Sequence, residues 1–150
     1  MSAMVPDRLE PMPFGQADIS RQGTDVTVVS WGANMVKMAE DAADQLQQEG
    51  ISVEVIDPRT LVPFDKDAVI NSVCKTGRLV ILHEAVRRCG FGAEIAALVS
   101  DSKAFDNLKA PIARVANPGI PVAFSRGLHK YALPSSEDLI GAIHRVMKYN

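Results

Sequence analysis

The chain has 150 residues, 47% apolar and 23% charged, which suits one globular domain able to bury its own core. Sixteen Lys and Arg against eighteen Asp and Glu leave a net charge of -2, and aromatics make up 5%, so neither a basic surface nor a stacking platform for nucleic acid is indicated. No apolar run approaches the roughly 20 residues that cross a bilayer, and Cys74 and Cys89 are too far apart for a redox pair and too few for a disulfide scaffold, so they read as free thiols in a reducing compartment.

Residues 1–14 carry Pro6, Pro11 and Pro13 without periodicity and without the apolar core of a secretory signal. They are expected to form an extended arm or an artificially appended linker, with a single domain over 15–150. Ala17–Arg21 is a candidate edge strand. Val26–Val29 is a β-branched run of the type buried on both faces of a parallel sheet. Met35, Met38, Ala39, Ala42 and Leu46 then recur at helical spacing until Gly50.

Ser52–Ile56 is the next expected strand. Asp65 can cap a helix that carries Val69, Ile70 and Val73 and stops at Gly77. Leu79–Leu82 predicts a third parallel strand, followed by a loop from His83 to Gly90 and a helix from about Gly92 to Ser100. Pro111 opens a short strand, Ile112–Val115. A Pro- and Gly-punctuated loop is expected over Asn117–Pro134, and Ser135 with Asp138 makes a capping-box pair for a last helix bearing Leu139, Ile140, Ile143 and Val146. Strands alternating with crossover helices imply an α/β fold: a mostly parallel sheet between two helical layers.

Ligands of such sheets sit beyond the carboxyl ends of strands. Three segments leave those ends here: Ser30-Trp31-Gly32, His83-Glu84-Ala85 and the residues after Val115. Each part has a plain structural reading beside the chemical one. His83 and Glu84 have the residue types of an acid–base pair, but neighbours on an extended segment point to opposite faces, which suits loop or interface anchors better. Gly90-Phe91-Gly92 opens a helix whose N-terminus can hold an anion, yet Ile95 stands where the third glycine of a dinucleotide fingerprint would be, so a tight helix entry is favoured. Arg87 and Arg88 read as a solvated or partner-facing surface, and Trp31 as packing or interface. His129 and His144 have no partner at zinc-ligand spacing, and no GxSxG elbow occurs. No complete catalytic or metal-binding set is identifiable.

The order of several segments carries a resemblance. Asp25–Gly32, Val55–Pro63, Lys75-Thr76-Gly77-Arg78-Leu79, His83-Glu84-Ala85, Cys89–Ile95, Ala110-Pro111-Ile112 and Leu133-Pro134 together resemble the C-terminal domain of E1 beta subunits of thiamine-diphosphate-dependent 2-oxo acid dehydrogenases, within the transketolase C-terminal domain family. The resemblance implies a three-layer α/β/α sandwich around a five-stranded mixed sheet with one antiparallel edge strand. It implies an assembly and docking role with no catalytic or cofactor-binding residue in this stretch, since thiamine diphosphate and Mg2+ are held elsewhere in such enzymes. The implied partners are an E1 alpha subunit, a second E1 beta subunit and the subunit-binding domain of E2, without nucleic acid or membrane. The implied compartment is the bacterial cytoplasm or the mitochondrial matrix.

Branched-chain 2-oxo acid, pyruvate and acetoin enzymes all share these features, the run from His83 to Glu94 being somewhat nearer the branched-chain type. Candidate interface or crevice residues are Trp31, Gly32, His83, Glu84, Gly90, Phe91, Gly92, Glu94, Lys109 and Asn150. Lys109 departs from the Asp or Glu of many relatives, which sets it against a basic E2 module. The alternative function is a small-ligand regulatory domain, nucleotide-like, using the strand-end crevice near Gly32, Glu84 and Gly92.

Overall fold

A computed structural model describes residues 11–149, apart from the side chain of Arg126. Five strands form one sheet in the order β1-β3-β2-β4-β5. These are β1 (Asp18–Arg21), β2 (Val26–Ser30), β3 (Val53–Asp57), β4 (Leu79–Val86) and β5 (Ala113–Asn117). β1 runs antiparallel to β3, with Asp18 opposite Asp57, and every other pairing is parallel. The antiparallel edge is the one expected from Ala17–Arg21.

The alternation of side chains along each strand builds two cores. Val26, Val28, Val53, Val55, Val80, Leu82 and Val115 meet α1 (Ala33–Gln48) and α5 (Ser136–Met147) through Ala39, Ala42, Leu46, Leu139 and Ile143. Val29, Ile56, Leu79 and Ile81 meet α2 (Lys66–Thr76) and α3 (Phe91–Ser100) through Val69, Val73, Ile95 and Val99. Burial on both faces explains why the strands read as continuous apolar runs rather than as alternating ones. The result is the three-layer α/β/α sandwich that the sequence implies.

The caps hold as well. Asp65 accepts a hydrogen bond from the Ala68 amide, Gly77 closes α2 at φ 74°, and Ser135 and Asp138 form a reciprocal capping box. Three details differ from expectation. β4 does not end at Leu82 but continues to Val86, because β5 runs on beside it to Asn117 across an irregularity between His83 and Val86. The stretch Asn117–Pro134 is not all loop, since α4 (Arg126–Ala132) lies within it. A 3-10 turn occupies Phe105–Asn107. The expected arm, residues 1–14, falls largely outside the described residues, as does Asn150.

Candidate functional site

β2 and β4 lie side by side in parallel with Ser30 opposite Leu82, so both strands deliver their next residues to the same rim of the sheet. Trp31 and His83 meet there, their rings stacked with centroids 4.8 Å apart and planes 11° from parallel. Phe91, at the first position of α3, meets Trp31 edge-on at 6.1 Å and Phe64 at 5.3 Å. Quadrupole geometry favours such offset and edge contacts over a face-to-face sandwich, and they fix the rim as a rigid aromatic cluster.

The two glycines at the helix entry are explained by His83. A Cβ on Gly92 would overlap His83 Nε2 and come within 2.7 Å of its Cδ2, while one on Gly90 would collide with the Val86 carbonyl and lie 3.1 Å from His83 Cε1. The turn is therefore a berth for an imidazole rather than a cradle for phosphate. His83 is fully buried, and neither ring nitrogen has a hydrogen-bond partner among the described residues. Burial, and secondarily the nearby charge of Arg114, pushes its pKa below the ordinary histidine value.

Glu84 points the opposite way and is exposed. It lines a hollow of about 140 Å³ with Gly32, Ala33, Asn34 and Met35 at the start of α1. That volume is well short of the roughly 300–1,000 Å³ typical of small-molecule sites. The crevice expected near Gly32, Glu84 and Gly92 is thus split by the sheet: Gly92 belongs to the aromatic face, Gly32 and Glu84 to the other. Glu94 stands exposed on the first turn of α3.

Lys109 is at the far end of the sheet, where its amide donates to the Gly77 carbonyl at 2.8 Å and its side chain covers Gly77. The C-terminal residues reach that end too. Arg78 donates through Nε to the Val146 carbonyl at 3.1 Å and through Nη2 to that of Tyr149 at 3.4 Å. Nine of the ten candidates are described, and they do not converge: Trp31, His83, Gly90, Phe91 and Gly92 form one cluster, Gly32 and Glu84 a second group, and Glu94 and Lys109 stand apart.

Sequence reasoning missed a run of exposed apolar side chains between β5 and α5. Ile120, Val122, Phe124, Leu128 and Tyr131 are all exposed, Phe124 to 105%. Their crowding between Asn117 and Leu133 was visible in the sequence, masked by the prolines and glycines that made the stretch read as plain loop.

The family model described as "Transketolase, C-terminal domain" matches residues 15–139. The chain belongs to the transketolase C-terminal domain family. It is 48% identical over 97% of its length to "Pyruvate dehydrogenase E1 component subunit beta" of Rickettsia felis, and covers 44% of that protein. It is 46% identical over 93% of its length to "Acetoin:2,6-dichlorophenolindophenol oxidoreductase subunit beta" of Bacillus subtilis, covering 40% of it. A third relative is "2-oxoisovalerate dehydrogenase subunit beta 2, mitochondrial" of Arabidopsis thaliana, at 41% identity over 97% of the chain and 39% of the relative.

Among solved structures, "Split gene transketolase, inactive beta4 tetramer" superposes with a TM-score of 0.78 at 26% identity, over 97% of this chain and 46% of that one. The chain spans less than half the length of these curated relatives. The resemblance implies thiamine diphosphate and Mg2+ for the larger enzymes, held outside this stretch. No group of three or more His, Cys, Asp or Glu able to hold a metal occurs among the described residues, and the glycine turn that might receive a phosphate is filled by His83.

Proposed function

We propose that this chain is the assembly and docking domain of the beta subunit of a 2-oxo acid dehydrogenase E1 component. The parent enzyme would carry out oxidative decarboxylation of pyruvate or a branched-chain 2-oxo acid, or cleave acetoin, with thiamine diphosphate and Mg2+ bound outside this stretch. The observation that carries the reading is similarity along nearly the whole chain to beta subunits acting on three different substrates. A domain shared so evenly among substrates is doing something they have in common. The rim geometry supports that reading, since a buried imidazole held between Trp31 and two glycines serves as packing.

The partners proposed are an E1 alpha subunit, a second beta subunit and the subunit-binding domain of E2. The exposed side chains of Phe124 and Leu128 suit the first two, and Lys109, Trp31 and Glu94 remain contact candidates. A bacterial cytoplasm or a mitochondrial matrix is the proposed compartment. The test is co-purification of the chain with E1 alpha and, separately, with the E2 subunit-binding domain from the same source. A stoichiometric complex with either is expected. Failure with both, each partner being folded, would overturn the assignment.

A further inference from the structure

β5 closes one side of the sheet and is hydrogen-bonded only to β4 among the described residues. Two open grooves run along it. One, of about 510 Å³, lies between Arg114, Val115 and Ala116 and the segment from Lys130 to Arg145. The other, of about 440 Å³, lies between Pro111, Ala113 and Arg114 and the end of α5, from Arg145 to Tyr149, with Arg87 on its rim. Arg114 and Arg145 line both, so the two grooves adjoin at these side chains as one trough beside the strand. Its accessible apolar part comes from Tyr131 and Tyr149, with the buried Val115 and Val146 beneath.

The charge of this trough sets it apart. Arg87, Arg114, Lys130, Arg145 and Lys148 line it. The ion pairs of the described residues are Arg21–Asp44, Lys37–Asp41, Arg59–Asp18, Lys75–Glu54 and His144–Glu49, and none uses a trough cation. Only Glu137 and Asp138 bring negative charge, both in the first groove, and Asp138 is already engaged by the amide and hydroxyl of Ser135. The second groove contains no carboxylate among its lining residues. Arg114 is held in place, donating through Nη1 to the Arg87 carbonyl at 2.9 Å. In a chain whose net charge is -2, five cations with no ion pair among the described residues, set on both sides of the trough, are a local concentration of positive charge.

We infer that the trough along the open edge of β5 docks an extended acidic segment of a partner protein, with carboxylates alternating with small apolar residues. An edge strand offers unpaired amides and carbonyls to a peptide backbone, which supplies affinity. The cations select negative side chains and repel a basic module. The elongated, half-apolar shape suits a peptide better than a free anion. This goes beyond the assembly reading, which names subunits but not the chemistry that any surface accepts.

The experiment uses the whole chain and a fluorescein-labelled ten-residue peptide in which Glu alternates with Ala and Val, with a Lys-for-Glu peptide as its counterpart. Fluorescence anisotropy is expected to show saturable binding of the Glu peptide only, weakened on raising salt because exposed charges are screened. The triple variant Arg87→Glu, Arg145→Glu, Lys148→Glu changes three exposed side chains, so circular dichroism should match the parent while affinity falls at least about tenfold. No saturable binding, equal binding of both peptides, or affinity untouched by the charge reversal would overturn the inference. So would displacement of the peptide by inorganic phosphate alone, which would make the trough a simple anion site. Because no other subunit is present, the result is independent of whether E1 alpha or E2 binds.

Discussion

His83 sits where a polar ring has least reason to be: fully buried, stacked on the chain's one tryptophan, with neither nitrogen bonded among the described residues. Burial favours the neutral imidazole and holds its pKa below the value it has in the unfolded chain. The sign of the consequence follows. Above the unfolded pKa of about 6.5 both states are neutral and the contribution to stability is constant. As pH falls through that value the unfolded chain takes up a proton that the folded chain refuses, and stability drops until the folded group also titrates. Urea midpoints measured from pH 7.5 downward should therefore fall below about pH 6.5, and a His83→Phe variant should lose that component of the slope whatever its absolute stability. An unchanged slope would mean that His83 finds a partner in solution. Trp31 reports the same event, and its emission should change as the stacked imidazole becomes charged.

At the scale of elements, most of the fold was legible in the sequence because punctuation and periodicity agreed. Asp65, Gly77, Ser135 and Asp138 mark helix ends by local hydrogen bonding, a short-range effect that needs no knowledge of the sheet. Ser135→Ala removes the acceptor for the Asp138 amide and one arm of the box. It should cost roughly 0.5–2 kcal/mol of stability, read as a lower urea midpoint with an unchanged slope, while Ser135→Thr, which keeps the hydroxyl, should restore most of the loss. What was not legible depends on neighbours distant in sequence. β4 runs past Leu82 because β5 is there to pair with, and no property of His83 to Val86 announces a partner 30 residues on.

Glu54 is a second instance. A carboxylate in a strand reads as an exposed position, yet it is buried against α2, where Ser72 and Lys75 donate to it and Thr27 bridges Ser72 and Thr76. The site suffered the same limitation. The sequence placed His83, Trp31 and the glycine turn at strand ends, but only the packing reveals that the imidazole fills the turn.

At the scale of the whole molecule, the exposed apolar side chains decide what the chain does in solution. Ile120, Val122, Phe124, Leu128 and Tyr131 belong to one segment between β5 and α5, and each leaves its ring or branched end in water. Burying apolar area contributes about 25 cal/mol per Å², so a surface of this kind gains from any complementary face, including that of another copy. The chain is expected to self-associate, its weight-average mass rising with concentration in sedimentation equilibrium. Phe124→Ser with Leu128→Ser should return it to a monomer. Both side chains are solvent-facing in the single chain, so the substitutions should leave its thermal midpoint nearly unchanged at low concentration, where association contributes nothing. A parent chain that stays monomeric at high concentration would overturn this expectation.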